Sequence, residues 1–289
     1  MEPPPDLTPK GFLFGTSGYY FDDWVGVFNP RGQSPEQRLS FYGQYFKFVE
    51  INNTFYRPPD PSWIEKLIHR TPHMVFALKV HREISHTRNW NISQGERMME
   101  DFVNRVYPLQ NAGCLYSLLI QLEDRVEYSS RRLRYLEKVG MVAVSANIDI
   151  HIEFRHKSWN DFDAIHALKS ANIGMCNTEI PRFNHAFPLK SYATTTKGYL
   201  RYSGLNQKAW YPATTSRPTS REKLEARNAR YNYLYTTDQL KERIKGQLDL
   251  RNKTNFTAVA FNNHYCASAV VNAIKNMRLL DQLLRENAQ

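Results

Sequence analysis

A single-domain parallel α/β barrel is the fold class the sequence predicts, and three observations predict it. Short apolar runs recur that close on polar or ionisable residues: residues 47–57 read KFVEINNTFYR, 76–82 FALKVHR, 118–122 LLIQL, 150–156 IHIEFRH and 259–264 VAFNNH. Amphipathic helical patterns separate these runs, and alternation of buried strands with helices folds most simply as a parallel sheet. The chain has 289 residues, 42% of them hydrophobic and 13% aromatic, which suffices for one barrel core. Closure of such a sheet gathers the strand C-termini at one mouth, where functional groups collect.

The first strand is expected at residues 12–17, ending in the small-residue turn Gly15-Thr16-Ser17-Gly18 that lets backbone approach a ligand, with Tyr19, Tyr20 and Trp24 following. A helix over 35–46 starts after Ser34 as its N-cap. Strand two covers 47–52, prolines punctuate the next loop, and a second helix runs to about residue 70. Strand three is 75–80, a helix spans 95–109, strand four is 115–122, and a helix spans 129–138 after the charged loop Glu123-Asp124-Arg125. Strand five, 150–154, leads through Trp159 into a helix ending near Ala171. Strands six, seven and eight are 173–177, 199–202 and 257–262. A closing helix over 267–286 carries Val270, Val271, Ile274, Met277, Leu280 and Leu284 at helical spacing.

Lys and Arg total 38 against 28 Asp and Glu, a formal charge of +10, and the pI is about 9.4. That surplus suits an anionic small molecule or nucleic acid, and it is equally compatible with a merely soluble surface. Cys114, Cys176 and Cys266 have no Cys-x-x-Cys spacing, which argues for a reducing, cytoplasmic setting and against structural zinc. No run of about eighteen apolar residues appears, so no membrane association is expected. The proline-rich start reads as a loose arm over residues 1–10 rather than a secretory signal, with one domain over 11–289. Residues 204–235 form an insertion in which Lys208, Arg217, Arg221, Lys223, Arg227 and Arg230 interleave with Trp210, Tyr211, Tyr231, Tyr233 and Tyr235. Such a pattern neutralises phosphates and offers stacking faces for bases, or else is a solvated loop whose tyrosines pack on the barrel.

Several segments together resemble the YecE-like family, domain of unknown function seventy-two. They are GTSGYYFDDW at 15–24, VEINNTFYR at 49–57, FALKVHREISH at 76–86, IEFRHKSW at 152–159, YLRYSG at 199–204, RYNYLY at 230–235 and FNNHYCASAVVNA at 261–273. The resemblance spans nearly the whole chain and implies a TIM barrel. It implies no particular activity. Glu123-Asp124, Lys157 and Cys266-Ala267-Ser268 depart from the family pattern in loops over the expected mouth.

Strand periodicity puts Glu50 and Asn52 on one face of strand two, opposite Val49, Ile51 and Asn53, and His151, Glu153 and Arg155 on one face of strand five, opposite Ile152 and Phe154, so both glutamates point into the barrel if the apolar faces meet the helices. Burial raises the pKa of a lone carboxylate and a neighbouring cation lowers it, so the pair is a candidate acid and base; the plain alternative is ion pairing with Lys79 or Arg155. Lys79 is an anion receptor or, desolvated, a Schiff-base amine. With Arg57, Arg155, His156 and Arg201, cations outnumber carboxylates at the mouth. Asn262, Asn263 and His264 close strand eight, a common phosphate position, with the alternative that the asparagines only tie the barrel ends together.

The expected function is phosphoester hydrolysis of a phosphorylated or polyanionic ligand. Glu50, Lys79, Glu153 and His156 form the catalytic set. Ser17, Tyr19, Trp24, Asn52, Tyr56, His81, Arg82, Gln121, Arg155, Trp159, Arg201, Asn262, Asn263 and His264 contact ligand, and Arg217, Arg221, Arg227 and Arg230 contact nucleic acid. No cofactor is expected. The metal alternative, magnesium included, rests on His81, His86, His156 and His264 with the two glutamates, but no His-x-His or His-Glu-x-x-His signature supports it. A non-catalytic DNA- or RNA-binding module is the competing reading. A glycoside hydrolase using Glu50 and Glu153, with Trp24, Tyr56 and Trp159 as sugar platforms, is a further one.

Overall fold

The computed structural model describes residues 8–210 and 219–287. Eight parallel strands close in sequence order: β1 Phe12–Ser17, β2 Phe48–Ile51, β3 Val75–Lys79, β4 Leu115–Gln121, β5 Ile150–Glu153, β6 Gly174–Glu179, β7 Lys197–Tyr202 and β8 Phe256–Phe261. Pairing of β1 with β8, Phe14 opposite Val259, seals the cylinder and removes every sheet edge. This is the expected TIM barrel.

Two apolar layers follow from the period-two alternation. Phe48, Ala77, Tyr116, Leu119, Cys176, Tyr199, Ala258 and Ala260 pack together inside the barrel, while Val49, Ile51, Leu78, Ile120, Ile152 and Leu200 face the surrounding helices. Two residues beyond Phe48, His151 and Tyr199 on the same faces come Glu50, Glu153 and Arg201, so the interior changes from apolar to charged toward the C-terminal mouth. Gly15 is required where β1 crosses β2: a Cβ there would lie 2.0 Å from the Phe48 carbonyl oxygen.

The helices are α1 Pro35–Tyr42, α2 Pro61–Arg70, α3 Arg82–Ser85, α4 Ile92–Asn111, α5 Ser130–Ser145, α6 Phe162–Ser170, α7 Gln207–Trp210, α8 Ser220–Tyr231, α9 Thr237–Asn252 and α10 Ser268–Glu286. Ser34 caps α1 in a reciprocal box with Gln37, as its position predicts. The helix stops at Gly43 rather than residue 46, since the chain turns there to bury Tyr45 and Phe46. Asn91 accepts from the Gln94 amide and starts α4 earlier than expected, and α5 runs seven residues past residue 138 because Val139, Gly140 and Ala143 continue its buried stripe.

Two features depart from the expected alternation. No helix separates β6 from β7; residues 180–196 cross as irregular chain. Between β7 and β8, α9 follows the basic segment and packs Leu240, Ile244, Gln247 and Leu250 onto the barrel, so the layer there is closed by a helix outside the 204–235 insertion.

Candidate functional site

The C-terminal ends of the strands surround a pocket of about 590 Å³. β1 delivers Ser17 and its following turn delivers Gly18, Tyr19, Tyr20 and Phe21. The 3-10 turn after β2 delivers Asn52, Asn53, Phe55 and Tyr56, and Lys79, Gln121, Arg201 and Asn262 come from the ends of β3, β4, β7 and β8. Gly18, at φ +93°, folds the β1 turn back over the mouth in a conformation that suits only glycine. Arg227 and Tyr231 of α8 close the rim.

A buried charge network forms the floor. Arg201, 2% exposed, donates from Nε to Glu50 Oε2 at 2.7 Å and from Nη2 to Glu50 Oε1 at 2.8 Å, while its Nη1 donates to Glu153 Oε2. The other Glu153 oxygen accepts from Arg155 Nε and Gln121 Nε2, both at 2.8 Å. Tyr199 donates to Glu50 Oε2 at 2.6 Å. Both carboxylates are 0% exposed. Burial alone raises the Glu153 pKa, but Arg201 and Arg155 overcome it and hold the carboxyl down at about 2. The same ion pairs push Arg201 well up.

Lys79 stands differently. Its Nζ donates to Gln121 Oε1 and sits 3.8 Å from the centre of the Phe55 ring, and among the described residues no carboxylate is within ion-pair distance of it. Desolvation first, then the positive charges of Arg155 and Arg201, bring its pKa down from 10.5 to about 7. With Lys79 protonated, three cations face two carboxylates across the floor; with it neutral, the charges balance.

Several expectations are corrected by the coordinates. Glu50 and Glu153 do converge, but as a structural ion pair shared through Arg201, so neither is a base free to reach a ligand. Trp24 and Trp159 are both 0% exposed; their indoles donate to the carbonyls of His264 and Val126, because wide rings after strand ends fill the core rather than the mouth. His156 lies away from the pocket, its Nδ1 accepting from the Ser158 amide and its ring stacked beside His185. His81 faces Glu83 at 4.0 Å and Arg82 is exposed, both outside the pocket lining. Asn263 does not line the pocket, and its Nδ2 is used in scaffolding, donating to the Tyr233 carbonyl at 2.7 Å and to Asn272 Oδ1 at 2.8 Å. Arg155 is at the floor through Glu153 without lining the pocket.

Within the basic segment, Arg221 pairs with Glu225 four residues on, and Arg230 stacks on Trp210 and donates to its carbonyl, so Arg227 alone of the described candidates turns to the mouth. Arg217 lies outside the described residues. The pocket does take in Ser17, Tyr19, Asn52, Tyr56, Lys79, Gln121, Arg201, Asn262 and His264. His264 is buried and stacked at 4.2 Å on Phe21, and burial brings its pKa down to about 4. Phe55 and Tyr199 escaped the sequence reading. Phe55 sits within the VEINNTFYR motif and Tyr199 holds an inward strand position, and those signals mark both. Among the described residues no group of three or more His, Cys, Asp or Glu is arranged to hold a metal ion, and no helix is long and apolar enough to cross a membrane.

Fold and site together define a TIM-barrel protein with a deep aromatic-walled pocket over a buried, positively biased floor. The chain belongs to the family described as protein of unknown function DUF72, whose profile matches residues 13–289. It is 23% identical over 270 residues to the UPF0759 protein YunF of Bacillus subtilis strain 168, covering 90% of this chain and 92% of that one. The crystal structure of a DUF72 protein from Thermotoga maritima is similar with a TM-score of 0.79 and 28% identity, over 93% of this chain and 99% of that one. A second, from Enterococcus faecalis, gives a TM-score of 0.77 at 20% identity over 93% and 95%.

Proposed function

We propose that the mouth pocket binds a small molecule that carries one anionic group, phosphate or carboxylate, on an apolar or aromatic body. The observation that carries this reading is the charge imbalance at the floor. Arg155 and Arg201 are matched by Glu50 and Glu153, and Lys79 is left over, desolvated and open to the cavity. A ligand anion offsets the charge of protonated Lys79 and so favours that form over the neutral amine, while Tyr19, Phe21, Phe55, Tyr56 and Trp63 accept the body of the ligand. Arg227 adds a second positive charge at the rim.

Glu50 and Glu153 are poorly disposed to phosphoester or glycoside cleavage, because their oxygens are committed to Arg201, Arg155, Gln121 and Tyr199. A polymer such as nucleic acid is likewise left aside, since a single cation of α8 reaches the mouth.

Calorimetric titration with phenyl phosphate tests the reading. Binding is expected to be tightest below about pH 7, with little proton exchange there, and to be coupled to proton uptake and lose affinity as pH rises past the Lys79 pKa; it is also expected to weaken with salt. Equal binding of uncharged benzyl alcohol, or heat unaffected by Lys79→Met, would refute it.

A further inference from the structure

The Lys79 amine is placed as a nucleophile as well as a charge. It stands at the end of β3 with its Nζ on the pocket surface, against the face of Phe55, with one hydrogen bond to a neutral amide and two guanidinium groups nearby in the same network. A lysine held in a structural ion pair has a carboxylate beside it. Here the carboxylates are taken by Arg201 and Arg155, and the nearest polar partner is Gln121, which does not stabilise a full positive charge as an anion would. Desolvation and neighbouring cations are the two devices by which proteins free a lysine lone pair near neutral pH, and this floor has both.

We propose that Lys79 is a catalytic residue that captures the carbonyl carbon of an anionic aldehyde or ketone as an imine; this deepens the anion-pocket reading and rests on it. The neutral amine attacks the carbonyl carbon, a C–N bond forms, and the C=O π electrons move to oxygen, which takes a proton from solvent. The resulting carbinolamine loses its hydroxyl as water with uptake of one further proton and release of one from nitrogen. Amine, carbonyl and one proton thus give a protonated imine and water. The positive charge of the imine replaces that of the ammonium ion, so the floor keeps its bias toward the ligand anion. The free amine fraction at neutral pH follows from the pKa of about 7.

The probe is para-formylbenzoate, which joins an aromatic body, a carboxylate and an aldehyde; para-toluate has the same ring and carboxylate without the carbonyl. The full chain is treated with para-formylbenzoate and sodium borohydride, and modified peptides are mapped by mass spectrometry. With para-formylbenzoate saturating at each pH, one reduced adduct at Lys79 is expected, formed faster as pH rises through about 7, blocked by excess para-toluate and absent from Lys79→Met. Lys79→Arg is expected to bind para-toluate and take no label, which separates charge from nucleophilicity. Binding of para-toluate with Lys79 unmodified, or label scattered over exposed lysines, would overturn the imine and leave the pocket reading intact. Label at Lys79 without para-toluate binding or protection would support the amine and retire the anion reading. Neither binding nor label would end both.

Discussion

Replacing Arg201 by methionine tests the central feature of the fold, the single guanidinium that two buried glutamates share. In the native chain Glu153 is held at about 2 against an ordinary 4.5, so its ionised form is favoured in the folded state. At 1.36 kcal/mol per unit, this corresponds to about 3 kcal/mol of folding stability for that carboxylate. A depressed carboxyl pKa contributes stability that is complete above the unfolded value near 4.5 and is lost as pH falls toward the folded value near 2. Arg201→Met leaves Glu50 wholly and Glu153 half without a cation inside the barrel, and breaking a buried pair from one side costs about 3–5 kcal/mol. The variant is therefore expected to lose about that much in urea denaturation at neutral pH. It regains part of the loss near about pH 5, where the orphaned carboxyls, now raised by burial, protonate. Adding Glu50→Gln and Glu153→Gln is expected to restore stability in part. A loss below about 1 kcal/mol at neutral pH, or a loss that grows on acidification toward pH 5, would refute the argument.

Trp24→Ala and Trp159→Ala are each expected to cost about 3–5 kcal/mol in chemical unfolding, since both rings fill the core, and to act on ligand binding only through that instability. Gly15→Ala drives a methyl group into the Phe48 carbonyl and is expected to lose about 1–3 kcal/mol or fail to fold, seen as a lowered thermal midpoint. Lys79→Met removes a cation whose folded pKa lies below its unfolded value, so the native lysine penalises folding fully below about pH 7 and less and less up to about 10.5. The variant is thus expected to be more stable than the parent at pH 6 by up to about 5 kcal/mol, less what the lost Gln121 hydrogen bond and Phe55 contact contributed, with the gain shrinking as pH rises; denaturation curves at several pH values check the sign.

The strand ends were legible because several are short apolar runs closing on polar or ionisable residues, and period-two alternation named the inward residues before any pairing was known. Helix α9 was not read, although Thr236 with Gln239 forms a capping box and Leu240, Ile244, Gln247 and Leu250 repeat at helical spacing. The aromatic and basic neighbours drew attention to residues 204–235 instead. The missing helix between β6 and β7 was equally hidden, because turn-rich sequence at 180–196 fits either a loop or a weak helix. Trp24, Trp159 and His156 share the polar or aromatic character of site residues, and only packing shows that the first two fill the core and the third caps a turn.

What the sequence determined by itself is periodic: eight strands, the faces they present and the end at which charge gathers. Local pattern suffices for that, since alternation and capping act over a few residues. What the tertiary structure decided is partnership. Arg201 and Glu50 are 151 residues apart, and which cation meets which carboxylate is set by strand register and barrel closure. By giving both carboxylates to the arginines, closure turned an apparent acid and base into scaffold and left Lys79 as the group with charge to spare.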